Sequence, residues 1–170
     1  MTIKIFKISL IFLLFFSLVK TDYRLVDEID CCGDGFEYFV HAQTIAIDRD
    51  FDYSNQIIDT SKARFTYNNK IAPAAFVGSG ILSSPFYFVG SVLNNYFPGG
   101  NKFNFVMLFY SFSSIVYFFL AFLLLYKSIQ IINPEVNFKK LLIIFFGTGL
   151  SYYAFERFSM THVYEVFSSA

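Results

Sequence analysis

Charge is what this sequence lacks most. Only 15% of its residues are Asp, Glu, Lys or Arg, against about 25% in a soluble domain. The formal net charge is zero, so no basic footprint for nucleic acid exists and no nucleic acid is expected as a partner. Cysteine is nearly absent, and the two that occur, Cys31 and Cys32, are adjacent. Chain neighbours rarely reach disulfide geometry without strain, and the pair has no metal-ligand spacing. They read as small apolar residues of a partly buried loop. A phosphate-cradling glycine loop, a nucleophile elbow and a zinc box are all missing. So are repeats of fixed period and low-complexity linkers.

What is abundant is apolar surface. Hydrophobic residues make up 55% of the chain and aromatic ones 22%, all Phe and Tyr. They come in blocks, which places the chain in the membrane class. The expected fold is an all-α polytopic membrane protein. The first block, residues 3–19, reaches about 25 Å as a helix, enough to span. Lys4 and Lys7 precede its most apolar part, so the N-terminus is expected in the cytoplasm. Its exit, Ser17-Leu18-Val19-Lys20-Thr21, lacks an Ala-x-Ala cleavage pattern, so it reads as an uncleaved anchor rather than a signal peptide.

Residues 20–104 are expected to form a large outer loop in which acids outnumber bases. Residues 37–47 carry an apolar stripe of helical period through Phe36, Phe39, Val40, Gln43 and Ile47. Asp34 is placed to be the N-cap of that helix. Residues 65–70 read as a short strand or turn broken by Asn68-Asn69. Residues 71–97 are uncharged, which suits a spanning helix. They also hold Pro73, Gly78, Gly80, Pro85 and Gly90, which suits a bent juxtamembrane helix.

Residues 105–126 read as a spanning helix, 127–140 as a lysine-rich loop and 141–155 as a third apolar run. If 71–97 does not cross, the loop with Lys127, Lys139 and Lys140 is cytoplasmic and the positive-inside rule holds throughout. Residues 156–165 then form a second outer loop on the side of Asp34. Residues 166–170 open a further apolar run, so the chain is expected to be the amino-terminal fragment of a longer membrane protein.

Asp34 is the sharpest chemical candidate. A carboxylate beside permissive glycines at a membrane surface can act as a general base or bind a metal. Helix capping alone would explain it equally well. Asp48, Asp50 and Asp52 alternate, but lack the glycine and distal glutamate of a calcium loop, so a solvated turn is expected. His162 can bind metal, move a proton or satisfy a carbonyl; His41, on the helix after Asp34, can do the same. Arg64 and Lys70 can hold a lipid-linked phosphate. These residues name no certain cofactor, and a divalent metal is the one candidate.

Several short motifs occur in a set order. They are Gly33-Asp34-Gly35-Phe36-Glu37-Tyr38, residues 46–55, Asn69-Lys70-Ile71-Ala72-Pro73-Ala74, Ser84-Pro85-Phe86, Tyr152-Tyr153-Ala154-Phe155 and Ser159-Met160-Thr161-His162. The order resembles the amino-terminal part of GT-C type integral-membrane glycosyltransferases, near the groups similar to protein O-mannosyltransferases and the lipid A aminoarabinose transferase. That resemblance implies a GT-C-like helical bundle with juxtamembrane helices in its first outer loop. It implies a polyprenyl-phosphate sugar donor, a site at the outer face of a bacterial-type inner (plasma) membrane among membrane lipids, and Asp34 as the base that activates the acceptor. Tyr38 then matches the aromatic that follows the acid, and His162 matches a position in the second outer loop. Gly35 and Asn69 stand where many members have further carboxylates. Two other readings compete, a transporter of lipid-linked saccharide and a non-catalytic polytopic membrane protein. The first needs charged or broken helices at mid-membrane, whereas 105–126 and 141–155 have no ionisable residue but tyrosine.

Overall fold

The computed structural model describes residues 33–57, 64–65, 68–97 and 104–170. The expected first anchor, residues 3–19, lies outside them, as do Cys31 and Cys32. The described chain is predominantly helical. It has six α-helices: α1 (Asp34–Gln43), α2 (Gly78–Tyr96), α3 (Phe105–Ile132), α4 (Phe138–Phe146), α5 (Leu150–Phe155) and α6 (His162–Ser169). A two-residue hairpin, β1 (Arg64–Phe65) with β2 (Ile71–Ala72), pairs Arg64 with Ala72 and Phe65 with Ile71. Its turn passes through Asn69, whose φ of 57° is left-handed backbone that asparagine tolerates.

The chain divides into two compact units. In the first, up to Tyr110, α1 starts one residue earlier than a cap at Asp34 would have it. Gly33 is the N-cap in extended backbone and no side chain caps the helix. Asp34 is the first helical residue, where its charge and that of Glu37 complement the helix dipole. The chain then widens into a π-turn, Thr44–Asp48, closed by Arg49 at φ 60°. The extra residue shifts the buried face. Thr44 and Ala46 turn inward while Ile47, expected on the apolar stripe, is exposed. A small core forms where Val40, Tyr53 and Ile57 pack with Phe36, Ile71 and Ala72.

Helix α2 packs on α1, with Phe39 tilted against Tyr87, and Phe39 also meets Tyr110 edge-on. Two of its glycines are required by close approach. A Cβ on Gly80 would lie 2.3 Å from His41 Cβ, and one on Gly90 would lie 2.6 Å from the backbone of Phe105 and Val106.

Helix α3 is the one described helix long and apolar enough to cross a membrane. At about 1.5 Å per residue it is about 42 Å long. It does not stop at Tyr126 as expected but runs on through Lys127 to Ile132. The segment 127–132 offers no breaker, and the first one is Pro134. The expected loop at 127–140 therefore shrinks to residues 133–137. Asn137 caps α4 by accepting from the N–H groups of Lys139 and Lys140.

The run 141–155 is not one helix. It breaks at Gly147-Thr148-Gly149 into α4 and α5. Thr148 Oγ1 donates back to Phe145 O at 2.7 Å and accepts from Leu150 N, stabilising the break. The aromatic wealth goes into this second unit. Phe118 contacts Phe145 at 4.7 Å between ring centroids, and Phe122 contacts Phe138 at 5.1 Å. Ile115, Ala154 and Val163 complete the core.

Candidate functional site

Helix α1 presents its acidic and polar side chains one turn apart. Asp34 and Tyr38 are four residues apart, as are Glu37 and His41, so each pair shares a face. The second pair has a defined task. Glu37 Oε2 accepts the Ala75 N–H, and His41 Nε2 lies 3.0 Å from Ala75 O. Two side chains of one helix thus satisfy both backbone groups of one residue in the segment entering α2. A carbonyl can only accept, so His41 carries its proton on Nε2. Its Nδ1 then accepts from the Tyr53 hydroxyl at 2.7 Å. His41 is 4% exposed. Burial lowers its pKa below 6.5, opposed in part by the Ala75 bond and the Glu37 charge. Burial also raises the Tyr53 pKa, with the nearby Asp50 charge adding to the rise.

Asp34 differs from Glu37 and His41. It is exposed at the start of α1, and its carboxylate makes no hydrogen bond or ion pair among the described residues. Tyr38 is half-buried on the next turn. Lys70 is exposed at the hairpin, directly after the left-handed Asn69. The Asp52 carboxyl is held below its usual range mainly by hydrogen bonds from Ser54, with a smaller pull from the Lys70 charge. Arg64 sits opposite Ala72 in the same hairpin.

The alternating aspartates serve their own loop. Asp50 Oδ1 accepts from Asp52 N, Asp52 Oδ1 accepts from Ser54 N, and Asp48 Oδ2 accepts from the side chains of Asn55 and Gln56. Among the described residues no three His, Cys, Asp or Glu side chains gather as a metal site.

His162 belongs to the other unit. It was expected within a loop at 156–165 but is the first residue of α6. Its Nδ1 lies 3.6 Å from Glu165 Oε2, and its ring lies 4.2 Å from that of Tyr153. The i, i+3 spacing of Glu165 was the sequence signal for this partner.

The bonding of Glu37 and His41 to Ala75 was not foreseen. Their partner is more than thirty residues away along the chain, and no local pattern announces it. No family model, no curated protein and no solved structure matches this chain.

Proposed function

We propose that this chain acts in a membrane glycosyltransferase, moving a sugar from a polyprenyl-phosphate donor to an acceptor at the outer face. The observation that carries the reading is the division of labour on α1. Glu37 and His41 are committed to holding Ala75, whereas the exposed Asp34 carboxylate is left available for chemistry at the head of the helix. The long apolar α3 and the helices α1 and α2 preceding it are in keeping with this reading.

In the proposed step Asp34 takes the proton from an acceptor hydroxyl or amine. The freed lone pair forms a bond to the anomeric carbon. The bond from that carbon to the phosphate oxygen breaks, and its electron pair leaves with the polyprenyl phosphate. Lys70 and Arg64 neutralise the departing charge. Attack opposite the leaving group inverts the anomeric centre. Tyr38 binds substrate in this reading, and no metal is needed for the atoms to balance.

The test is transfer of labelled sugar from polyprenyl-phosphate hexoses and pentoses by the protein at its natural length in vesicles. Asp34→Asn is expected to insert normally and lose transfer. Normal transfer by Asp34→Asn removes it as the base. Absence of transfer by the unaltered protein with every donor overturns the reading and favours a non-catalytic membrane protein.

A further inference from the structure

Lys70 is one cation of the proposed reaction, yet its immediate surroundings are too slight to fix it. It is exposed and follows the left-handed Asn69. The hairpin beside it has two residues per strand, and a short isolated pair of strands is marginal. Its placement therefore comes from what β2 and the residues after it are attached to.

The first attachment is packing. Ile71 and Ala72, directly after Lys70, pack against the core of Val40, Tyr53 and Ile57. Phe36, two residues after Asp34, packs against the same core. The mounts of the acid and of the cation thus share one small core. Lys70 reaches the same region by charge. After the hydrogen bonds from Ser54, its pull is a smaller cause of the low Asp52 pKa, and Asp52 is the chain neighbour of Tyr53.

The second attachment is the grip on Ala75, five residues after Lys70. Apolar packing is non-directional and leaves the orientation of a segment open. Two hydrogen bonds to the N–H and carbonyl of one residue set it, because each has a preferred direction. Glu37 and His41 make that pair of bonds to Ala75. The grip is firm at its root, since His41 is held from its other nitrogen by Tyr53 at 2.7 Å, and both residues are buried. It is also stiffly joined to β2. The buried Pro73 lies between, and proline fixes its own φ and restricts the residue before it, here Ala72.

We propose that Glu37 and His41 are positioning residues which, through Ala75 and β2, hold Lys70 in a fixed place relative to Asp34. The fixed geometry belongs to the fold. Its use, to keep the cation at the departing phosphate, rests on the sugar-transfer reading.

The test has two arms. In the first, spin labels on Gly33→Cys and Asn68→Cys, with Cys31 and Cys32 replaced by serine, report the distance from the head of α1 to the hairpin in vesicles. Both positions are exposed, and a side chain at 33 meets nothing within 4 Å. One narrow distribution is expected. Glu37→Ala and His41→Ala should broaden it, and Glu37→Gln and His41→Gln should restore it, because their amides can make the same bonds to Ala75. In the second arm, the unlabelled protein at its natural length transfers sugar from the polyprenyl-phosphate donor. The two alanine variants are expected to lose about 10- to 100-fold in kcat, with a smaller change in donor KM, as a misplaced group does. The glutamine variants should recover most of it. Gly90→Ala, a costly change at the contact with Phe105 and Val106, controls for lost stability and should leave both readouts unchanged. An unchanged distance distribution in the alanine variants overturns the proposal. So does a kcat loss of the same size in Gly90→Ala. If the unaltered protein transfers no sugar, the transferase reading falls and the distance arm alone decides. The two alanine variants are read separately, so failure of one to fold leaves the other.

Discussion

His41 and Tyr53 meet through a 2.7 Å hydrogen bond between Nδ1 and Oη, their rings edge to face with centroids 5.1 Å apart. Tyr53 donates, because the other imidazole nitrogen is engaged by the Ala75 carbonyl. The arrangement needs neutral histidine. Protonation would put a charge in a buried site, and burial is the main reason the pKa is lowered from 6.5.

The pH dependence follows from that direction. Below pH 6.5 the unfolded chain takes up a proton at His41 before the folded chain does. Stability from the neutral pair is fully present above 6.5 and declines as pH falls through the lowered folded value. Glu37 faces the same imidazole and moderates the loss. Thermal unfolding in detergent between about pH 8 and about pH 5 should show a falling midpoint that His41→Gln flattens. Tyr53→Phe should cost about 1–3 kcal/mol at pH 8 by leaving Nδ1 without a donor. An unfolding midpoint independent of pH would remove the neutral-histidine assignment.

Glycines on α2 are predicted to differ in kind. Gly80→Ala and Gly90→Ala place a Cβ 2.3 Å and 2.6 Å from atoms of α1 and α3 respectively. Overpacking of this sort costs about 1–3 kcal/mol. Gly78→Ala meets nothing within 4 Å and sits in the first turn of the same helix. It should be neutral or stabilise by about 0.5–1 kcal/mol through helix propensity. Denaturant midpoints of the three variants give the comparison, and equal effects at all three would argue against the close helix approach.

Parts of this architecture are legible in the residues and parts are not. The apolar run of α3, the helix beginning around Asp34 and the Asn68-Asn69 turn all carry local signals, because each depends on hydropathy, spacing or a tolerated backbone angle. The extension of α3 to Ile132 was hidden by weighting Lys127 over the absence of any breaker before Pro134. The break between α4 and α5 had a signal, two glycines flanking Thr148, that the surrounding apolar residues obscured. The grip of Glu37 and His41 on Ala75 had none, since it joins residues whose contact exists only after α1 and α2 pack. The chemistry proposed for Asp34 comes from motif order, and the fold adds that this carboxylate is exposed beside a Glu37 and a His41 already committed to Ala75.

The two acids in the first turn of α1 should separate stability from function. Asp34→Asn removes charge from an exposed side chain and should change stability by no more than about 0.5 kcal/mol. Glu37→Ala abandons the Ala75 N–H, which then lacks its acceptor, and should cost about 1–3 kcal/mol. Melting each variant in the same detergent distinguishes them. A large loss in Asp34→Asn would mean that its carboxylate is structural after all.

The second unit offers a cleaner measurement of polar packing in an apolar core. Ser113 Oγ and Tyr164 Oη lie 2.7 Å apart, joining α3 to α6 with both residues buried. Next to them Ser114 Oγ donates to Ala154 O at 2.7 Å and fastens α3 to α5. Each contact satisfies a hydroxyl inside a phenylalanine-lined interior, so loss of one partner weakens the polar packing of the other. The gain is limited, because in the unfolded chain the same groups also hydrogen-bond. A double-mutant cycle of Ser113→Ala with Tyr164→Phe is therefore expected to give a coupling of about 0.5–1.5 kcal/mol. Ser114→Ala should cost a similar amount without coupling to Tyr164→Phe, because its acceptor is a carbonyl on a different helix. Strong coupling of Ser114 to Tyr164, or none between Ser113 and Tyr164, would contradict this arrangement of α3, α5 and α6.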